Sequence, residues 1–166
     1  MRALWILVFF GVIGAIYQWG GNSLDEARVR AFYEQADRAL AEQDDETLCG
    51  MLSPDFEQVT LYRADSQQQR QVVDRRKYCH DLGQAMAQLR RIREMTGGEV
   101  PVEHEQTITR ITISPDKHSA EVETRSTVAA PGMRMTARAR DTVVRQRWRM
   151  WITRSEGTTF VGPAPR

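Results

Sequence analysis

The amino-acid sequence predicts an α+β domain: helices first, then one curved antiparallel sheet with the helices packed on one face. Two observations carry that class. Up to Gly97-Gly98 apolar residues recur mainly at helical spacing, and from Val100 onward they alternate, the period of strands. Helices gathered ahead of long strands pack on one face of a single sheet. A third observation places a transmembrane helix before the domain: from Ala3 to Tyr17 every residue is apolar or glycine.

That opening stretch reads as an uncleaved signal-anchor. Trp5 and Trp19 sit where interfacial aromatics would, and no good small–x–small cleavage site follows the apolar run. A cleaved signal peptide and a buried core helix are the alternatives. Arg2 precedes the run while Asp25 and Glu26 follow it, so the amino terminus stays in the cytoplasm and the rest is exported. The expected layout is a single-pass bacterial inner-membrane protein with its domain in the periplasm. Residues 1–22 are the anchor with a Gly20-Gly21 hinge, 23–160 the domain, and 161–166 a loose tail.

Ser23 and Glu26 form a capping box for a helix whose apolar stripe is Val29, Phe32, Tyr33, Ala36 and Leu40. Asp44-Asp45-Glu46 ends it and opens a short helix with Leu48, Met51 and Leu52, which Pro54 stops. Phe56 to Tyr62 alternates as a strand, and after a turn at Asp65-Ser66 a second strand runs near Arg70–Val73. Asp74 caps a third helix with Tyr78, Leu82, Ala85, Met86 and Leu89 inward. Strands then span Val102–Ile113, Ser119–Ala129, Met133–Val144 and about Trp148–Thr153, the last with an extension beyond Gly157. The turn before the last strand, near Arg145-Gln146-Arg147, has no glycine, asparagine or proline to mark it.

Charge is unevenly spread although the net is only +1. Between Asp25 and Tyr62 ten acidic residues face three arginines, and between Met133 and Arg154 seven arginines face one aspartate. Arg134, Arg138 and Arg140 share one strand face, and Arg147 and Arg149 oppose Trp148, Met150 and Ile152 on the last strand. These five arginines are either solvated outer faces or a surface for an acidic partner, anionic headgroups or a second copy of the chain. An exported domain would rarely meet nucleic acid, so none is assigned as a partner.

Cys49 and Cys79 are the only cysteines. They form one disulfide in an oxidising compartment or remain two buried thiols. Two cysteines without a histidine at ligand spacing make no metal site. Nor is any phosphate loop, nucleophile elbow or other cofactor motif present.

The stretches RVRAFYEQADRALAEQDDETLCGMLSPDFEQV, ITRITISPDKHSAEVETR and RWRMWITRSEG resemble the nuclear-transport-factor-2-like superfamily, which includes cystatin-like cones and ketosteroid-isomerase-like and SnoaL-like proteins. The resemblance covers Ala27 to Gly157 and implies a cone-shaped sheet around a long helix with a pocket at the wide end. The isomerases' tyrosine would fall on Ala36 and their aspartate base near Thr60, so that constellation is missing. Tyr33 lies one turn earlier and Tyr62 close by, which leaves a shifted pocket open. The side chains placed at such a pocket are Tyr33, Tyr62, Met86, His104 and Trp148.

None of the three histidines has a catalytic partner at sequence spacing. His104 points away from Glu103 and Glu105 on a strand, His80 and Asp81 cannot face each other on a helix, and His118 lies in a turn. No catalytic residue is assigned. The expected role is therefore a membrane-tethered interaction or assembly module with a protein partner or as a homodimer. Its layout is similar to the inner-membrane scaffold component of type IV secretion machines. The alternative is a protein that binds, isomerises or dehydrates a small apolar molecule in the cone. The two differ in an observable: a pocket function needs a cavity with a convergent acid such as Asp65, Glu105 or Asp141 buried among apolar groups.

Overall fold

Helix α1 (Glu26–Glu42) begins at Asp25 and not at the expected Ser23. Leu24 is buried, its amide donates to the Lys117 carbonyl at 2.6 Å, and the Ser23 carbonyl accepts from Arg145 Nη1 at 2.8 Å. Those bonds hold residues 23–24 against the sheet, so Asp25 is the first side chain able to accept from an amide of the first turn, that of Arg28. Gln43 ends α1 in the left-handed region, and Asp44 then caps α2 (Asp45–Gly50) through the Thr47 amide and hydroxyl. Asp74 caps α3 (Arg75–Met95) as expected, with Met86 buried. Ala85, expected inward, is exposed.

The computed structural model describes residues 23–64, 67–97, 103–130 and 133–163. The segment assigned as an anchor, residues 1–22, lies outside these, as do Asp65 and the turns at Gly98 and Pro131-Gly132. Among the described residues no helix is long and apolar enough to cross a membrane.

Six strands form one sheet: β1 (Leu52–Ala64), β2 (Gln67–Asp74), β3 (Glu103–Ile113), β4 (Ser119–Ala130), β5 (Met133–Gln146) and β6 (Arg149–Pro163). Their order is β2-β1-β6-β5-β4-β3. The sheet is mixed and not purely antiparallel as expected, because β1 pairs with β6 in parallel. Alternation along a strand reveals its faces but not its neighbours, and here the neighbours are the first strand and the last. Pro54 does not stop a helix; it lies in β1 where the β1–β6 register slips between Leu52 and Glu57, a place that tolerates a missing amide. Further slips near Thr109 and Thr153 interrupt the ladders, the kind of irregularity that bends a strand.

β6 runs unbroken to Pro163, through Gly157 and past position 161. A Cβ on Gly157 would lie 2.8 Å from the Arg138 carbonyl oxygen, so only glycine fits where β5 and β6 approach. The β5–β6 turn is centred on Arg147 and Trp148, one residue later than expected. Both have positive φ, at 49° and 70°, the pattern of a two-residue primed turn made without glycine. The core gathers Leu24, Val29, Phe32 and Tyr33 from the start of the domain against Ala120, Val122 and Val143 of the sheet.

Candidate functional site

A single row of side chains crosses the inner face of the sheet. Strand registers align Val73 of β2, Gln58 of β1, Ser155 of β6, Asp141 of β5, Val122 of β4 and Ile111 of β3. The ends of the row are apolar and its middle three members are polar. Asp141 is 7% exposed and Tyr33, which reaches it from α1, is 4% exposed. The Tyr33 hydroxyl donates to Asp141 Oδ2 at 2.6 Å. A buried acid on a core face carries a cost that packing alone does not repay.

Above this row lies a cavity of about 190 Å³ between the three helices and the sheet. Leu40, Leu48, Met51, Leu52, Phe56 and Ile152 make its walls apolar. Tyr78 and Leu82 close it from α3, where Tyr78 meets Phe56 edge to face at 5.4 Å between ring centres. Asp37, on the exposed side of α1, and Gln106 of β3 complete the lining. An apolar cavity of about 150 Å³ is enough to hold benzene, so this one admits a molecule of single-ring size.

Burial pushes the Asp141 carboxyl above the usual carboxylate range, against hydrogen bonds from Ser155 and Tyr33 that favour its ionised form. Tyr33 is pushed up first by burial and then by the charge of Asp141 and the bond to it, so it stays a phenol and a donor. Tyr78 is raised by burial, with smaller contributions from Asp141 and Tyr62. Asp37 is also raised by burial; His104 opposes this and Glu34 adds to it. The arrangement offers a buried carboxyl, Asp141, a second carboxyl, Asp37, on the exposed side, and two phenols. Among the described residues that line the cavity there is no histidine, lysine, arginine or cysteine to act as nucleophile or second base.

No family model matches the chain, and no curated protein does. Solved structures do. A protein of Novosphingobium aromaticivorans, provisionally named a scytalone dehydratase, superposes with a TM-score of 0.58 at 15% identity, over 83% of this chain and 86% of its own. An NTF2-like protein of unknown function from Pseudomonas putida gives 0.53 at 12% identity, over 80% and 84%. A domain of unknown function with a cystatin-like fold from Nostoc punctiforme gives 0.53 at 14%, over 81% and 76%. The fold is that of the nuclear-transport-factor-2-like proteins. At these identities the likeness covers the fold and stops there.

Within this NTF2-like cone the five expected pocket residues separate. Tyr33 lines the cavity. Met86 is buried on α3 but is not part of the lining. Tyr62 lies further along β1 and is 37% exposed, and His104 is exposed on β3, where its charge acts on Asp37. Trp148 belongs to the hairpin turn, half exposed beneath the Arg145 guanidinium at 5.5 Å. Of the three candidate acids, Asp141 alone converges on the cavity; Glu105 is exposed on β3 and Asp65 lies outside the described residues. Asp141 had a legible signal: it shares the apolar face of β5 with Ala139 and Val143. Ser155 and Gln58 had none, because their roles depend on the pairing of β1 with β6.

The arginine surface also resolves. A hollow of about 740 Å³ opens on the outer face of the sheet and includes Arg138, Arg140, Glu123 and Glu156. Part of this charge is paired: Arg140 meets Glu123 at 2.9 Å and Glu121 at 3.4 Å, and the neighbouring Arg154 meets Glu156 at 2.6 Å and Glu57 at 3.1 Å. The segment is basic in sequence, but neighbouring strands supply the acids. Such exposed pairs each contribute about 0–1 kcal/mol. Arg134 is exposed near the start of β5, while Arg147 and Arg149 flank the hairpin tip. Cys49 and Cys79 are bonded, with Cα atoms 5.7 Å apart, and tie the end of α2 to the first turns of α3.

Proposed function

We propose that the domain binds a small, mostly apolar molecule of single-ring size in the cone cavity, and that the Asp141–Tyr33 pair recognises its polar group. The observation behind this reading is the buried Asp141 carboxyl on the core face of the sheet, beside an apolar-walled cavity with enough empty space for a ligand. A scaffold domain would fill that space with side chains, since cavities and buried acids both cost stability. The second carboxyl of the lining, Asp37, lies on the exposed side of α1, and the described lining residues include no histidine, lysine or cysteine, which favours binding over turnover. A panel of single-ring probes should raise the melting temperature of the full chain, and Ala36→Phe, which fills the cavity from α1, should remove the effect. If no probe shifts the melting temperature of the wild-type chain, the reading falls.

A second reading, compatible with the first, keeps the domain tethered to a membrane from the periplasmic side. The Cys49–Cys79 bond supports an oxidising compartment. The chain enters the described domain at Ser23, whose carbonyl accepts from both Arg145 and Arg28. Beside that entry runs a groove with Arg28, Arg145, Arg149, Phe32, Trp148 and Trp151, a composition suited to a headgroup layer. On this reading the protein stays in the membrane pellet after a carbonate wash. Release into the supernatant would count against it.

A further inference from the structure

We infer that the cavity's ligand is a small organic cation, an amine carried on one apolar ring, with its ammonium directed at Asp141. This rests on the ligand-binding reading above and adds the chemical class. Both ionisable acids in the lining, Asp141 and Asp37, carry negative charge when ionised, and the described lining residues include no cationic side chain. Facing Asp141 are Tyr33 from α1, Ser155 from β6 and Tyr78 from α3, which are all neutral donors or rings. His104 acts on Asp37 from the exposed part of β3 and is not in the lining.

This inventory discriminates among ligand classes. An anion would meet the Asp141 carboxylate in a medium of low dielectric constant, with Asp37 adding a like charge from the exposed side, and is disfavoured. A neutral molecule can bond to Asp141 but leaves its charge uncompensated. A cation removes that deficit, and the carboxylate has already lost its water in the folded state, so that part of the cost does not recur on binding. A carboxylate has about four lone-pair sites, so the bonds from Tyr33 and Ser155 leave room for a further donor. The rings of Tyr33, Phe56 and Tyr78 add a favourable surround for positive charge.

Calorimetric titration of the full chain at neutral pH with benzylamine, benzyl alcohol and benzoate tests the class. Benzylamine should bind about ten-fold tighter than benzyl alcohol or better, and benzoate should not bind. In Asp141→Asn the preference for the amine should fall to about two-fold or less. In the wild type it should weaken as pH falls, because a proton then competes with the amine for Asp141. Equal binding of amine and alcohol by the wild type overturns the cation inference and leaves the ligand-binding reading standing. Binding of none of the three, together with no shift across the wider probe panel, overturns both. The amine–alcohol comparison in the wild type decides the matter even if Asp141→Asn fails to fold.

Discussion

Asp141 opposes the stability of its own domain. Its carboxyl holds a proton more tightly in the folded chain than in the unfolded one, where it titrates near 3.8. A group shifted in that direction lends stability while protonated in both states and withdraws it as pH rises through the folded value. Asp141→Asn should therefore melt higher than the wild type at pH 7, and the gap should close near pH 4. Thermal melts at the two values measure this, and a gap that does not change with pH would show that Asp141 is not the titrating group. A protein that keeps such a residue pays for it in stability, and functional sites are where that happens. At this scale the sequence was partly legible. The acid on the apolar face of β5 and the tyrosine on the stripe of α1 could both be read, but their meeting at 2.6 Å could not, since 108 positions separate them.

Helices and strands owe their positions to a few local devices. The Cys49–Cys79 bond closes a loop of 30 residues between α2 and α3, two of the elements that wall the cavity. Opening it by reduction, or by Cys49→Ser with Cys79→Ser, should cost about 3–4 kcal/mol, read as a drop in the denaturation midpoint. Gly157→Ala should cost about 2 kcal/mol or more, because the added methyl meets backbone of β5, not a side chain that can move aside. A chemical denaturation curve with an unchanged midpoint would contradict that close approach. Most element boundaries were legible from periodicity and caps, as with Asp74 and α3. Two were not. The Ser23 box failed because tertiary bonds had already claimed residues 23 and 24, and the Arg147–Trp148 turn lacks the residues that normally mark a primed turn.

The whole molecule is joined by its last strand. β6 holds β1 and β2 on one edge and β5, β4 and β3 on the other, so alternation could reveal six strands but not the parallel seam between β1 and β6. The polar row is assembled across that seam, which is why the cavity's chemistry was less legible than its fold. A chain ending at Gln146 should lose cooperative melting altogether, because it lacks the strand that both halves pair with; a sharp transition in that truncation would refute this. The seam also sets an order of events. Leu52 pairs with Ile152 about a hundred positions later, so a growing polypeptide leaving a ribosome or a translocation channel cannot close this sheet until β6 has emerged. Until then the sheet's two edges are separate nascent pieces. The chamber comes into being in one step, once β6 has been delivered.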